Sequence, residues 1–145
     1  MIELKLKRLD ERVCLPKQAT AGSAGLDLTA VIEKPLTLTR GELYSIPTGL
    51  AAEIPQGYAG FVFARSGLAV KFGVTLSNAV GVIDSDYRGE IRVGLVNLSD
   101  TPYTVQPFER IAQMIVMPVP PVMVLESDDL GDTARGAGGF GSTGK

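Results

Sequence analysis

A chain of 145 residues with 45% hydrophobic content can bury one compact core, and its formal charge of −2 gives no electrostatic reason to expect a nucleic-acid polymer as partner. Histidine is absent, which removes Ser-His and Cys-His nucleophile pairs and every His-ligated zinc, iron or copper site. Acid–base work at neutral pH falls to carboxylate, Tyr, Lys or a metal-bound water, and an oxygen-ligand metal such as Mg²⁺ stays open.

The lone Cys14 has no partner for an internal disulfide and no His to activate it, so it reads as a bystander thiol. No apolar run approaches the ~20 residues of a membrane-spanning helix. Residues 1–9 alternate charge with Ile and Leu, unlike a signal peptide. No membrane partner and an intracellular, cytoplasmic location are therefore expected.

Taken in order, residues 2–6 alternate apolar and charged side chains as a strand, and Leu15-Pro16 closes the stretch that follows. A loop of small residues then runs through Gly22 and Gly25 into a short strand carrying Asp27 between Leu26 and Leu28. Asp27 reads equally as a strand-end carboxylate in water or as a functional group. Short strands follow at 36–39, 43–46, 50–54 and 58–63, punctuated by Pro47, Gly49, Pro55 and Gly57. That spacing predicts a sandwich or barrel, and the chain reads as nearly all β.

One helix is expected, over 67–72, with Ser66 as N-cap and Gly73 past its end. It is either a capped turn between strands or an anion site, because Arg65, Ser66 and free backbone N–H groups converge at its start. Residues 78–97 read as a β-hairpin: apolar alternation through Val80 to Ile83, turn chemistry from Asp84 to Gly89, then Ile91, Val93 and Leu95. Asp84 and Tyr87 then sit at its rim, where the carboxylate either bonds its own backbone or does chemistry. The apolar run 111–117 reads as a further strand, with Arg110 serving packing or an ion pair. Pro118, Pro120 and Pro121 stiffen the exit, and the organisation expected is a β domain over 1–121 and an arm over 122–145. The glycine-rich end, with Arg135, Phe140, Ser142 and Thr143, is either a disordered tail or a lid that wraps phosphates and stacks an aromatic ring.

Five stretches, in register and in order, resemble the motifs of the trimeric dUTPase family. They are Ala24-Gly25-Leu26-Asp27-Leu28, Arg65-Ser66-Gly67-Leu68, the Gly81-Val82-Ile83-Asp84-x-x-Tyr87-x-Gly89-Glu90 core of 78–90, Arg110-Ile111-Ala112-Gln113, and 135–144 with Arg135 and Phe140. Phe108 stands where the family commonly has Gly, and Cys14 matches no motif.

The resemblance implies a jelly-roll-like or distorted β-barrel subunit with one short helix and a C-terminal swapped arm. It implies a homotrimer whose active sites are shared between chains, hydrolysis of dUTP to dUMP and pyrophosphate, and Mg²⁺ on the triphosphate. By position, Asp84 would activate the attacking water and Asp27 would hold a metal-bound water without ligating directly. Arg65, Ser66 and Gly67 would grip phosphates and Gln113 the α-phosphate region, while Arg135, Ser142 and Thr143, beside Gly141, would reach the γ-phosphate. Tyr87 would pack on the deoxyribose and exclude a 2′-hydroxyl. Asn78 and backbone groups near Gly81, Val82, Ile83 and Arg92 would read uracil, with Phe140 stacked over the base. A bifunctional dCTP deaminase/dUTPase, a non-enzymatic dUTP-sensing trimer and a carbohydrate-binding jelly roll are the alternatives. The last lacks a tryptophan platform.

Overall fold

The computed structural model describes residues 2–139. Ten strands and one short helix follow in order: β1 (Lys5–Arg8), β2 (Leu26–Thr29), β3 (Leu36–Leu38), β4 (Leu43–Glu53), β5 (Tyr58–Ala64), α1 (Ser66–Phe72), β6 (Val74–Leu76), β7 (Gly81–Ile83), β8 (Glu90–Asn97), β9 (Tyr103–Val105) and β10 (Arg110–Pro118). They form two four-stranded sheets, ordered β1-β4-β8-β6 and β2-β10-β5-β7, and a β3-β9 ladder. All pairings are antiparallel. This is the expected all-β, jelly-roll-like subunit with one helix.

Alternation explains the layers. In β8, Ile91, Val93 and Leu95 are buried while Arg92 points out. From the opposite sheet, Leu28 of β2 and Ile111 and Met114 of β10 meet them in one cluster, joined by Ile46, Leu50, Val74 and Val105. Among the described residues two polar side chains are fully buried, and each is satisfied. Thr48 donates to Ile91 O at 2.6 Å. The Asn97 amide donates to Leu38 O and Thr101 O and accepts from Ser99, which fixes the β8–β9 connection.

Three expectations are corrected. The break at Pro47 and Gly49 does not make two strands: β4 runs through, with its pairing to β8 shifted between Pro47 and Ala51. Proline fits a central strand where the ladder is already irregular, and Gly49 takes φ 64° there. The cap of α1 is Arg65, not Ser66, and it makes no side-chain cap bond. The helix does end as expected, with Gly73 at φ 71° and its N–H returned to Ala69 O.

The third correction concerns 78–97, which is not a hairpin. β7 pairs with β5, and β8 lies between β4 and β6 in the other sheet. The turn 84–89 therefore carries the chain across the sandwich. Glycine permits the β7 edge: a Cβ on Gly81 would lie 3.2 Å from Val62 Cβ. Beyond β10, Val119 N–H bonds Gly57 O, after which Val122, Met123, Val124 and Leu125 are about four-fifths exposed. Among the described residues no helix is long and apolar enough to cross a membrane.

Candidate active site

Asp27 on β2, Arg65 before α1 and Arg110 at the start of β10 come from three distant parts of the chain and meet at one end of the β2-β10-β5 sheet. One Asp27 oxygen lies 3.2 Å from Arg65 Nε and the other 3.0 Å from Arg110 Nη1. Arg65 Nη1 also donates to Arg110 O at 3.0 Å. Two guanidiniums on one carboxylate leave net positive charge, in a cleft of about 320 Å³ lined also by Gly25, Ser66, Gly67 and Gln113. Ser66 and Gly67 are exposed, and a Cβ on Gly67 would meet nothing, so a ligand can approach the backbone there. Gln113 donates to Ala64 O at 3.1 Å, and its Oε1 would lie 2.5 Å from a Cβ on Gly25. Glycine at 25 is what lets this amide stand beside the cleft.

Behind the cleft, Tyr103 ties α1 to β10. Its ring packs 5.0 Å from Phe72, and its hydroxyl donates to Glu109, the residue before Arg110. Burial, together with that bond to a carboxylate, pushes the phenol pKa up, so Tyr103 stays a neutral donor.

A second cleft, of about 220 Å³, is lined by Val82, Ile83, Asp84, Tyr87, Glu90 and Arg92. Asp84 is exposed and also borders a larger cleft of about 580 Å³ with Tyr58, Asp86 and Pro120. Tyr87 donates to Glu90 O at 3.0 Å. The Arg92 guanidinium is held by Ser45 O at 2.7 Å, Ser45 Oγ at 3.1 Å and Glu90 at 3.0 Å, which ties the side chain to the body of the sheet. Asn78 opens a tight turn in which Val80 N–H returns to Asn78 O at 2.7 Å, with Ala79 at φ 61°. Its amide nitrogen would lie 3.6 Å from a Cβ on Gly81.

The expected site residues thus fall into two separate groups. Arg65, Ser66, Gly67, Gln113 and Asp27 line one cleft, and Val82, Ile83, Asp84, Tyr87 and Arg92 line another, with Asn78 and Gly81 beside each other at the start of β7. Arg135 joins neither: its Nε bonds Gly138 O at 2.8 Å in the turn around Gly136. Phe140, Gly141, Ser142 and Thr143 lie outside the described residues. Sequence reasoning expected an ion pair or packing from Arg110 and missed that the pair closes on Asp27. It also missed Gly25 and Gly89, whose signal was only their place inside motifs.

The dUTPase family model matches residues 11–144. The chain belongs to the dUTPase family. It is 50% identical over 144 residues to the deoxyuridine 5′-triphosphate nucleotidohydrolase of Desulfitobacterium hafniense (strain DSM 10664 / DCB-2), covering 99% of this chain and 95% of that one. To the enzyme of the same name from Neisseria meningitidis serogroup A it is 48% identical over 146 residues, covering 99% and 97%. The dUTPase of Staphylococcus bacteriophage 80alpha, solved with dUPNHPP, superposes with a TM-score of 0.89 over 100% of both chains at 24% identity, a likeness of fold.

Proposed function

We infer that the protein hydrolyses dUTP to dUMP and pyrophosphate, which limits uracil incorporation into DNA and supplies dUMP for dTMP synthesis. The observation that carries this reading is the pairing, in a dUTPase-family chain, of a cationic cleft with an exposed carboxylate beside a phenol. Phosphoryl transfer needs positioned phosphates, a positioned water and a proton acceptor. Arg65 and the open backbone at Ser66 and Gly67 bind phosphate oxygens, Gln113 orients the α-phosphate, and Asp84 takes the proton of the attacking water. The water oxygen bonds the α-phosphorus, the bond from that phosphorus to the bridging oxygen breaks, and pyrophosphate leaves with its electron pair.

Tyr87 packs on the deoxyribose, and Asn78 with the backbone of Gly81, Val82, Ile83 and Arg92 reads the uracil edge. Reading a base by fixed donors rejects cytosine, whose amino group would leave buried partners unpaired. Arg135, Gly141, Ser142 and Thr143 cover the γ-phosphate and Phe140 stacks on the base, as parts of an arm over 122–145 that leaves the 1–121 body.

Among the described residues no three His, Cys, Asp or Glu gather to hold a metal, and Asp27 is already bridged by two guanidiniums. An ion carried on the triphosphate oxygens would need no such cluster, and Asp27 would hold one of its waters. When bound, Mg²⁺ supplies neutralisation of phosphate charge.

That the two clefts share no lining residue supports a homotrimer in which one chain's cationic cleft meets another's Asp84 rim. Pyrophosphate release from dUTP with Mg²⁺, run beside dCTP, dTTP and UTP at equal concentration, tests the activity. Turnover of dUTP alone is expected. Turnover of dCTP would instead mark a coupled deaminase.

A further inference from the structure

A ring that discriminates between sugars must be held still, and the hydroxyl bond of Tyr87 to Glu90 O fixes only one end of it. We propose that Gly89 is the seat of the Tyr87 ring and thereby sets the enzyme's preference for deoxyribose over ribose, acting as a positioning residue that does not itself touch substrate. This rests on the reading of Tyr87 as the sugar-facing residue.

The ring lies directly on Gly89. A Cβ there would stand 2.4 Å from the phenol oxygen, 2.6 Å from Cζ and 3.1 Å from Cε2, and these are the three nearest atoms. Non-bonded carbons pack best at about 3.5–4.0 Å, so any side chain at 89 must displace the phenol. Gly89 is not among the glycines with positive φ, so left-handed backbone strain does not bar alanine there, and the nearest conflict is with the ring.

The rest of the seat is rigid. Tyr87's hydroxyl donates to Glu90 O at 3.0 Å. The Glu90 carboxylate accepts from Gly49 N–H at 2.9 Å and from Arg92 at 3.0 Å, and Arg92 is itself fastened to Ser45. The phenol therefore closes over a glycine whose next residue is anchored to β4 on two sides. Tyr87 is 44% exposed and lines the cleft beside Asp84, so a ligand in that cleft can reach it. Displacing a positioning group by about 1 Å is enough to lose its effect on a reacting geometry.

The experiment compares Gly89→Ala, Tyr87→Ala and the double variant in the full chain. It reads the ratio of kcat/KM for dUTP to kcat/KM for UTP, and the thermal midpoint. Gly89→Ala is expected to lower the ratio by about tenfold or more, as Tyr87→Ala does, with no further loss in the double variant. It should also lower the midpoint when Tyr87 is present and not when it is alanine, because the clash goes with the ring.

If Tyr87→Ala lowers the ratio and Gly89→Ala leaves it unchanged, the seat is overturned while the sugar reading stands. If Tyr87→Ala leaves the ratio unchanged, the sugar reading fails and the seat with it. Should Gly89→Ala be insoluble, a soluble double variant supports the clash and an insoluble one overturns it.

Discussion

Asp84 is exposed at the border of two clefts, so a water can reach it and a proton it accepts can leave. Asp84→Asn keeps the shape of the side chain and removes its charge and basicity. Pyrophosphate release should fall by roughly 10²–10⁴, while the Kd for dUTP, measured by calorimetry, stays within about threefold. Near-normal turnover would mean that another group takes the proton. Asp10 works in stability instead. Its carboxylate is held down to about 2, from an ordinary 3.8, first by the hydrogen bond from the Arg12 side chain and then by Arg12 N–H. A depressed carboxylate stabilises the fold above its unfolded pKa, and that contribution is lost as pH falls from 3.8 through about 2. Asp10→Asn has no such proton to take up, so across that window its urea midpoint should fall less steeply than that of the parent protein.

Elements show where the sequence could be read and where it could not. Alternation identifies β8, because Ile91, Val93 and Leu95 must face a core, and the β-branched apolar run after Arg110 marks β10. Alternation says nothing about partners. Val82 and Ile83 look joined to Ile91 by a turn of the right chemistry, yet β7 finds β5, whose Val62 fits against Gly81, and β8 is flanked on both sides already. The end of α1 at Gly73, and its start to within one residue of Ser66, were legible from local residue types. The Asp27–Arg110 contact spans 83 residues and was not, since pattern carries no distance information.

The turn before β10 offers a test at the same scale. Phe108 sits at φ 60°, with its N–H on Ala30 O and the Arg12 guanidinium 5.5 Å from the ring centroid. Replacing it with Gly or with Ala removes the same ring, so the two variants differ in backbone strain and not in that contact. Phe108→Gly should be more stable than Phe108→Ala by about 1 kcal/mol in urea unfolding. Equal stabilities would mean the turn relaxes when the ring is gone.

At the scale of the whole molecule, two clefts among the described residues share no lining residue. Arg65 belongs to the cationic cleft and Asp84 to the rim. If one chain closed its own site, damage to Arg65 in one copy and to Asp84 in another would never be repaired by mixing them. In a homotrimer with heterologous contacts, each site instead takes its cleft from one chain and its rim from the next. Arg65→Ala and Asp84→Asn should each be nearly inactive alone. Refolded together in equal amounts, random assembly pairs an intact cleft with an intact rim in about one site in four, so about a quarter of the parent activity should return. Subunits must exchange for this, so mixing the folded variants without refolding should restore less. No recovery after co-refolding, in a preparation whose mass by light scattering is that of a trimer, would place cleft and rim of each site within one chain. The arm 122–145 would then have to close a site on its own subunit.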